Sequence, residues 1–201
     1  RTNDIDEVWD SSHLTFFEMM WNRSLWDYFK KESVKYSYDF LVNELWFDPK
    51  KLAVTVFEGN DDAPRDDETA QYRKDAGMLE DKISFMGVED NRRTPGPIWP
   101  CGPDTEIFYR TWPWYPTKED NLKSGEENRM EIRNNVFMEY YRDADWSLTK
   151  LKNQNVDTGM WFERMSMVLQ NKETIFETDL FQPILDVITK YTWINYNWNE
   201  R

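Results

Sequence analysis

Eleven tryptophans against only seven glycines in 201 residues restrict the turns this chain can make. Many of the tryptophans stand where a backbone normally needs glycine. Trp112 and Trp114 alternate with prolines in Thr111-Trp-Pro-Trp-Tyr-Pro116, Trp99 sits within Gly96-Pro-Ile-Trp-Pro-Cys-Gly-Pro103, and Trp146 follows Asp143-Ala-Asp145. Turn positions favour residues that tolerate φ > 0, and a bulky aromatic does not. Glycine at all eleven positions would bring the glycine share to about 9%, close to the usual ~7%. The pattern fits a coding sequence in which UGA specifies glycine but has been translated as tryptophan. The competing expectation is a real aromatic-rich surface, such as a carbohydrate-binding module.

The length suits one domain with a substantial core, or part of a larger one. The chain opens on Arg1 rather than methionine and is expected to be a fragment. With 38 acidic against 25 basic residues, its net charge of −13 argues against a nucleic-acid binder that works through an overall basic field, though a local basic groove stays open. A single cysteine, Cys101, excludes an internal disulfide framework and cannot make a zinc site by itself, so a reducing cytoplasm is expected. No stretch approaches the ~20 apolar residues of a membrane span, and no signal-peptide pattern opens the chain.

Leu14–Met20 reads as a buried strand from its density of β-compatible residues. Ser24 with Asp27 resembles a capping box, and Leu25, Tyr28, Phe29, Tyr36, Phe40 and Leu41 suggest a helix to about Asn43. Leu52–Phe57 reads as a strand, residues 59–67 as an acidic loop and Asp67–Ala76 as a short helix. Residues 91–103 carry four prolines and two glycines and read as an ordered loop. Further strands are expected at Thr105–Tyr109 and Met130–Tyr141, and helices at Trp161–Gln170 and Asp179–Lys190. This order indicates an α+β fold, an antiparallel β-sheet flanked by helices.

Three stretches carry a family resemblance. Trp9-Asp-Ser-Ser-His-Leu-Thr-Phe-Phe-Glu-Met-Met-Trp-Asn22, Pro100-Cys-Gly-Pro-Asp-Thr-Glu-Ile-Phe-Tyr109 and Val156-Asp-Thr-Gly-Met-Trp-Phe-Glu-Arg-Met165 together resemble the catalytic domain of alanyl-tRNA synthetases, of class II. The resemblance keeps its order from Arg1 to about Ile188. It implies a partial aminoacylation domain over residues 1–201, without the family's tRNA-recognition and editing domains. It implies ATP and Mg2+ as cofactors, alanine and tRNA(Ala) as partners, and formation of alanyl-adenylate before transfer to tRNA. Arg1 would contact the α-phosphate, His13 would orient the phosphates, Phe17 would stack on adenine and Arg164 would reach the phosphates, with Gly159 letting the nucleotide lie close to the backbone. Charge building on phosphate oxygens calls for fixed cations, which arginine supplies in a planar fork. Asp157 would bind the α-amino group, Asn134, Val136 and Gly159 would line the alanine pocket, and Glu106 or Glu131 would hold magnesium. Cys101 matches a loop cysteine and is expected to be inert. Met160, Met165 and Met167 are expected to pack.

The sequence also departs from the family. Relatives carry glycine at the positions of Trp9, Trp21, Trp26, Trp99, Trp146 and Trp161, and an aromatic pair where this chain has Arg92-Arg93. They also tend to have large aromatics at 23, 73 and 133. A guanidinium at 93 would set a second cation beside the substrate ammonium. This leaves two readings open: some arginine codons specify tryptophan, or the pocket belongs to a paralogue acting on another amino acid or acceptor. Strain or displaced backbone is expected most clearly around Trp99 and Trp161. The gene is expected to show UGA at codon 161 and CGG or CGA at codon 93. UGG at 161, or any other arginine codon at 93, removes the basis of the respective idea.

Overall fold

The computed structural model describes residues 5–8, 10–93, 98–111, 122 and 129–196. Arg1, Trp9, Trp112, Trp114 and the side chain of Arg93 lie outside that part. The chain divides into two compact units, one of Arg1–Met20 with Met160–Arg201 and one of Trp21–Gly159.

The strands are β1 (Met19–Leu25), β2 (Leu52–Phe57), β3 (Ile83–Met86), β4 (Arg92–Arg93), β5 (Trp99–Arg110), β6 (Arg129–Arg142) and β7 (Leu148–Trp161). The helices are α1 (Lys30–Asp39), α2 (Asp67–Ala76), α3 (Val88–Asn91), α4 (Phe162–Leu169) and α5 (Gln182–Thr192). The sheet order is β1-β7-β6-β5-β2-β3, with β4 paired to β5. Pairs β2·β5, β4·β5, β5·β6 and β6·β7 are antiparallel, as expected. The pair β2·β3 is parallel, which makes the sheet mixed. A parallel neighbour requires a crossover, and α2 provides it between β2 and β3.

Helix α2 follows its sequence signals closely. Asp66 caps it by accepting the Thr69 N–H at 3.1 Å, Asp67 and Glu68 occupy the first turn, and Arg73 and Lys74 the last. Gly77 closes it in the left-handed region at φ 117°, with the Met78 N–H bonded to the Arg73 carbonyl.

Two N-terminal expectations are corrected. Ser24 does not cap a helix: its hydroxyl accepts from the Tyr28 N–H at 2.8 Å and donates to the Tyr28 carbonyl at 2.6 Å, closing a turn after β1. Helix α1 therefore starts at Lys30 and continues as a π turn over Phe40–Glu44. Nor is Leu14–Met20 a buried strand. Leu14 is buried, but Phe16 is largely exposed and the strand begins only at Met19. The expected loop at 91–103 also differs, because β4 and the start of β5 pair within it.

In the unit Trp21–Gly159 the apolar core includes Val34, Phe137 and Val156 with Tyr28, Phe29, Tyr72 and Ala76 packed against them. β2 is buried along its whole length. Beside this core runs a polar layer. Asn135 donates to Ser33 Oγ and Ser37 Oγ of α1, each at 2.8 Å, and Arg73 of α2 donates to Thr105 Oγ1 at 3.0 Å and to Asn135 Oδ1 at 3.3 Å. Arg73 is 1% exposed. Burial, and then the nearby Arg133 charge, push its guanidinium pKa down to about 9. A second buried cation is better served. The Lys30 ammonium lies 3.0 Å from Asp66 and 2.6 Å from Glu139. Burial opposes its charge, but the two carboxylates outweigh that and raise its pKa.

The other unit buries Leu14, Met160, Met165, Met167 and Ile175, so the methionines pack as expected. Cys101, in β5, is buried, and burial pushes its thiol up, which suits an inert residue.

Left-handed backbone does not occur at Trp99 or Trp161 themselves, which both lie in strands. Among the described residues positive φ occurs instead at Trp26 (56°), Trp46 (57°), Trp146 (70°) and Trp193 (62°), and at one other non-glycine residue, Asn171 (54°).

Lys30→Ala is expected to lower stability by about 3–5 kcal/mol in urea unfolding, because it strands two carboxylates. A lysine pKa raised by folding contributes fully below the unfolded value, so the Lys30 contribution persists at neutral pH and fades only as pH rises through the folded value, above ~10. Trp46→Gly is expected to exceed Trp46→Ala in stability by about 1 kcal/mol, since only glycine relieves a left-handed backbone.

Candidate nucleotide and amino-acid sites

In the unit formed by Arg1–Met20 and Met160–Arg201, three side chains singled out from the sequence gather around the ring of Trp161. The Trp161 indole stacks on Phe17 with ring centroids 3.9 Å apart and planes 11° from parallel. On Trp161 also lies the Arg164 guanidinium, 4.0 Å from the ring centroid. Arg164 Nε donates to the Ser12 carbonyl at 3.3 Å. His13 meets the same indole edge-on at 6.4 Å. Phe17 and Arg164 thus bracket a flat aromatic group, as they would a planar base. The structure brings His13, Phe17 and Arg164 together, each in contact with the Trp161 ring.

Local structure holds these groups. Asp10 accepts the Ser12 and His13 N–H groups at 2.8 and 2.7 Å, and its carboxylate meets His13 Nδ1 at 2.5 Å. Burial opposes ionisation of Asp10, but these hydrogen bonds and the imidazole hold its pKa below the usual value. Glu163 accepts the Glu18 N–H on both oxygens, at 2.9 and 3.1 Å, and the Phe162 N–H bonds the Glu18 carbonyl. These contacts tie the start of α4 to the segment carrying Phe17. Sequence reasoning missed the role of Asp10, although an aspartate before Ser-Ser-His carries the signal of a local Asx turn. The Glu7, Asp10 and His13 ligand atoms lie within 4.8 Å of one another. A nitrogen donor among two exposed acids suits magnesium poorly, and the Asp10–His13 hydrogen bond already accounts for the arrangement.

The amino-acid residues lie in the unit Trp21–Gly159. Cross-strand register sets Glu106 opposite Asn134 and Asn134 opposite Gly159. One step along, it sets Asp104 opposite Val136 and Val136 opposite Asp157. Paired residues share a sheet face, so these six line one surface, while Thr105, Asn135 and Thr158 point to the other, where α1 and α2 bind. The Gly159 N–H donates to Asn134 Oδ1 at 2.9 Å, which turns the asparagine amide toward β7. Glu106 shares the row of Asn134 and Gly159, whereas Glu131 pairs with Phe108 further along. Glu106, a partly buried hard oxygen donor, is therefore the better candidate for magnesium. The backbone of Arg93 pairs with Gly102.

Arg23 changes the expected picture of Asp157. Its Nε lies 3.0 Å from Asp157 Oδ1, so the carboxylate assigned to a substrate ammonium is engaged by a side chain of β1. Arg23 also lies 4.4 Å from the Trp21 ring centroid. Periodicity gave no sign of this ion pair, because the strand was expected at Leu14–Met20 whereas β1 runs Met19–Leu25. The missed Asp104 is buried in the same face and accepts from Asn91 Nδ2 at 3.3 Å.

The model of the tRNA synthetases class II (A) matches residues 1–201. An alanine–tRNA ligase of Treponema denticola is 47% identical over 206 residues, covering 100% of this chain and 34% of that protein. One of Borrelia hermsii is 46% identical over 202 residues, covering 99% and 34%, and one of Rubrobacter xylanophilus is 38% identical over 203 residues, covering 96% and 23%. The chain thus spans about a third of the length of the first two relatives. Among solved structures, apo S. aureus histidyl-tRNA synthetase gives a TM-score of 0.46 at 9% identity over 81% of this chain and 42% of that one, a likeness too slight to carry an inference. The match along its whole length shows that the chain belongs to the tRNA synthetases class II (A).

Proposed function

We propose that this chain is part of an enzyme that activates alanine with ATP and passes it to tRNA(Ala) in the cytoplasm. The observation that carries this is the Phe17–Arg164 bracket around a flat ring, within a chain matched end to end by the family. In the first step an alanine carboxylate oxygen attacks the α-phosphorus, a P–O bond forms, and pyrophosphate leaves with the broken bond's electrons. In the second a ribose hydroxyl of the tRNA attacks the alanyl carbonyl and AMP leaves.

The protein's part is positioning and charge stabilisation. Phe17 offers a stacking face to adenine. Arg164, with Arg1 and His13, supplies positive charge where phosphate charge builds. Asp157 pairs with the substrate ammonium, while Asn134, Val136 and Gly159 border its methyl group. Glu106 would hold Mg2+, which supplies charge neutralisation at the phosphates.

Two features qualify the chain as written. The Trp161 indole fills the stacking face, and the same proposal carries glycine at 161 in the working enzyme, as the resemblance implies. The Arg23–Asp157 ion pair favours a second reading of the pocket, in which position 23, like 93, is aromatic in the cell's protein and leaves Asp157 for the ammonium. With a genuine arginine at both positions, a paralogue selecting another amino acid is the alternative. The carbohydrate-binding reading finds no support in ring geometry, since no two tryptophan rings among the described residues are in contact.

ATP–pyrophosphate exchange tests this on the full-length protein made with glycine at 161, assayed across amino acids. Alanine-dependent exchange is expected, with little exchange when tryptophan stands there. Asp157→Asn is expected to lower it about 10- to 100-fold through alanine KM. Exchange driven by a different amino acid overturns the alanine assignment, and residues 1–201 alone are expected to charge tRNA weakly or not at all.

A further inference from the structure

Four tryptophans occupy backbone conformations that only a residue without Cβ adopts freely. Trp26, Trp46, Trp146 and Trp193 have φ between 56° and 70°, and they are four of the seven described tryptophans. Only a few per cent of non-glycine residues do this, and bulky ones least.

Each sits at a structural station with its own glycine rule. Trp193 follows the last residue of α5, its N–H bonded to the Thr189 carbonyl at 2.8 Å, the single-bond left-handed helix ending. Trp46 follows the π turn that ends α1, where the Phe47 N–H returns to the Leu41 carbonyl at 2.9 Å. Trp146 lies in the β6–β7 hairpin. There the Trp146 N–H bonds the Asp143 carbonyl and the Asp143 N–H bonds the Ser147 carbonyl, a tight turn followed by a left-handed residue. Trp26 follows the last residue of β1 and lies inside the turn closed between Ser24 and Tyr28.

The same chain supplies the comparison. Helices α2 and α4 end on Gly77 (φ 117°) and Asn171 (φ 54°), the residue types that left-handed endings ordinarily use. The Met78 and Lys172 N–H groups return to the Arg73 and Met167 carbonyls in equivalent positions. Helix endings in this fold thus follow the usual chemistry at two sites and depart from it at two others, always with tryptophan.

A strained backbone persists in a protein when its surroundings over-determine it. These four side chains are 68–91% exposed, so packing does not hold the indoles in place. Among the described residues, a contact from Arg142, 4.6 Å from the Trp146 ring centroid, is the one ring interaction at any of them. The conformation is set by turns and helix ends, and the side chain contributes almost nothing to it.

We infer that the protein made in its own cell carries glycine at positions 26, 46, 146 and 193, and that the codon written there as tryptophan is decoded as glycine. Trp21 and Trp99 lie in strands without positive φ, so backbone geometry does not assign them, although a shared codon extends the exchange to them. The inference rests on backbone dihedrals alone. It stands or falls independently of alanine activation.

Peptide mass spectrometry of the full-length protein purified from its source cells tests it, with peptides spanning each of the four positions. The expected result is the mass decrease of a tryptophan-to-glycine exchange at all four. Tryptophan at any of them overturns the inference, even in an enzyme that activates alanine. Glycine at all four supports it, even in one that does not.

Discussion

The Lys30 ammonium is the point on which the larger unit depends, because three chain segments meet at it. Lys30 opens α1, Asp66 caps α2, and Glu139 belongs to β6. One carboxylate therefore serves twice: Asp66 satisfies the free N–H of Thr69 and neutralises a buried lysine. A cation at a helix N-terminus is unfavourable by itself, and a buried cation more so. Their cost is offset only when α1, α2 and β6 are all in place, which gives the arrangement its cooperativity.

That arrangement divides the sheet into two unlike faces. The face toward the helices is polar for a protein interior, with Thr105, Asn135 and Thr158 bonded to Arg73, to the α1 serines and to Asn22. Arg73 is its least comfortable member, since its described hydrogen-bond partners, Thr105 and Asn135, are uncharged and the Arg133 charge opposes its own. The opposite face carries Asp104, Glu106, Asn134, Val136, Asp157 and Gly159 in two adjacent rows. Period-two alternation makes both faces from the same strands. A shift of one residue would exchange them.

Local signals foretold local structure. The strand Leu52–Phe57 and the helix Asp67–Ala76 appear with the expected ends, because an apolar run centred on β-branched Val54-Thr55-Val56 and a complete set of caps leave little choice. The helices after Gly159 are also close to expectation. Strand β7 was not foreseen apart from its glycine-bearing end. Its Lys-Leu-Lys-Asn-Gln-Asn stretch has no apolar alternation, and it is a strand because β6 offers it a ladder. The Ser24 and Asp27 pair misled for a related reason: a hydroxyl that can cap a helix can equally close a turn.

His13, Phe17, Asn134, Asp157, Gly159 and Arg164 were singled out by the family resemblance of the stretches that carry them, and residue type or spacing alone would not have separated them from ordinary structural residues. The tryptophans were also visible as misfits in composition. Which of them are misfits in conformation only the folded backbone decided, since φ at 26, 46, 146 and 193 is imposed by how helices and hairpins end. Tertiary structure alone set Trp161 between Phe17 and Arg164 and paired Arg23 with Asp157. Ring stacking and ion pairing depend on distances between residues far apart in the chain, and local sequence carries no record of those distances.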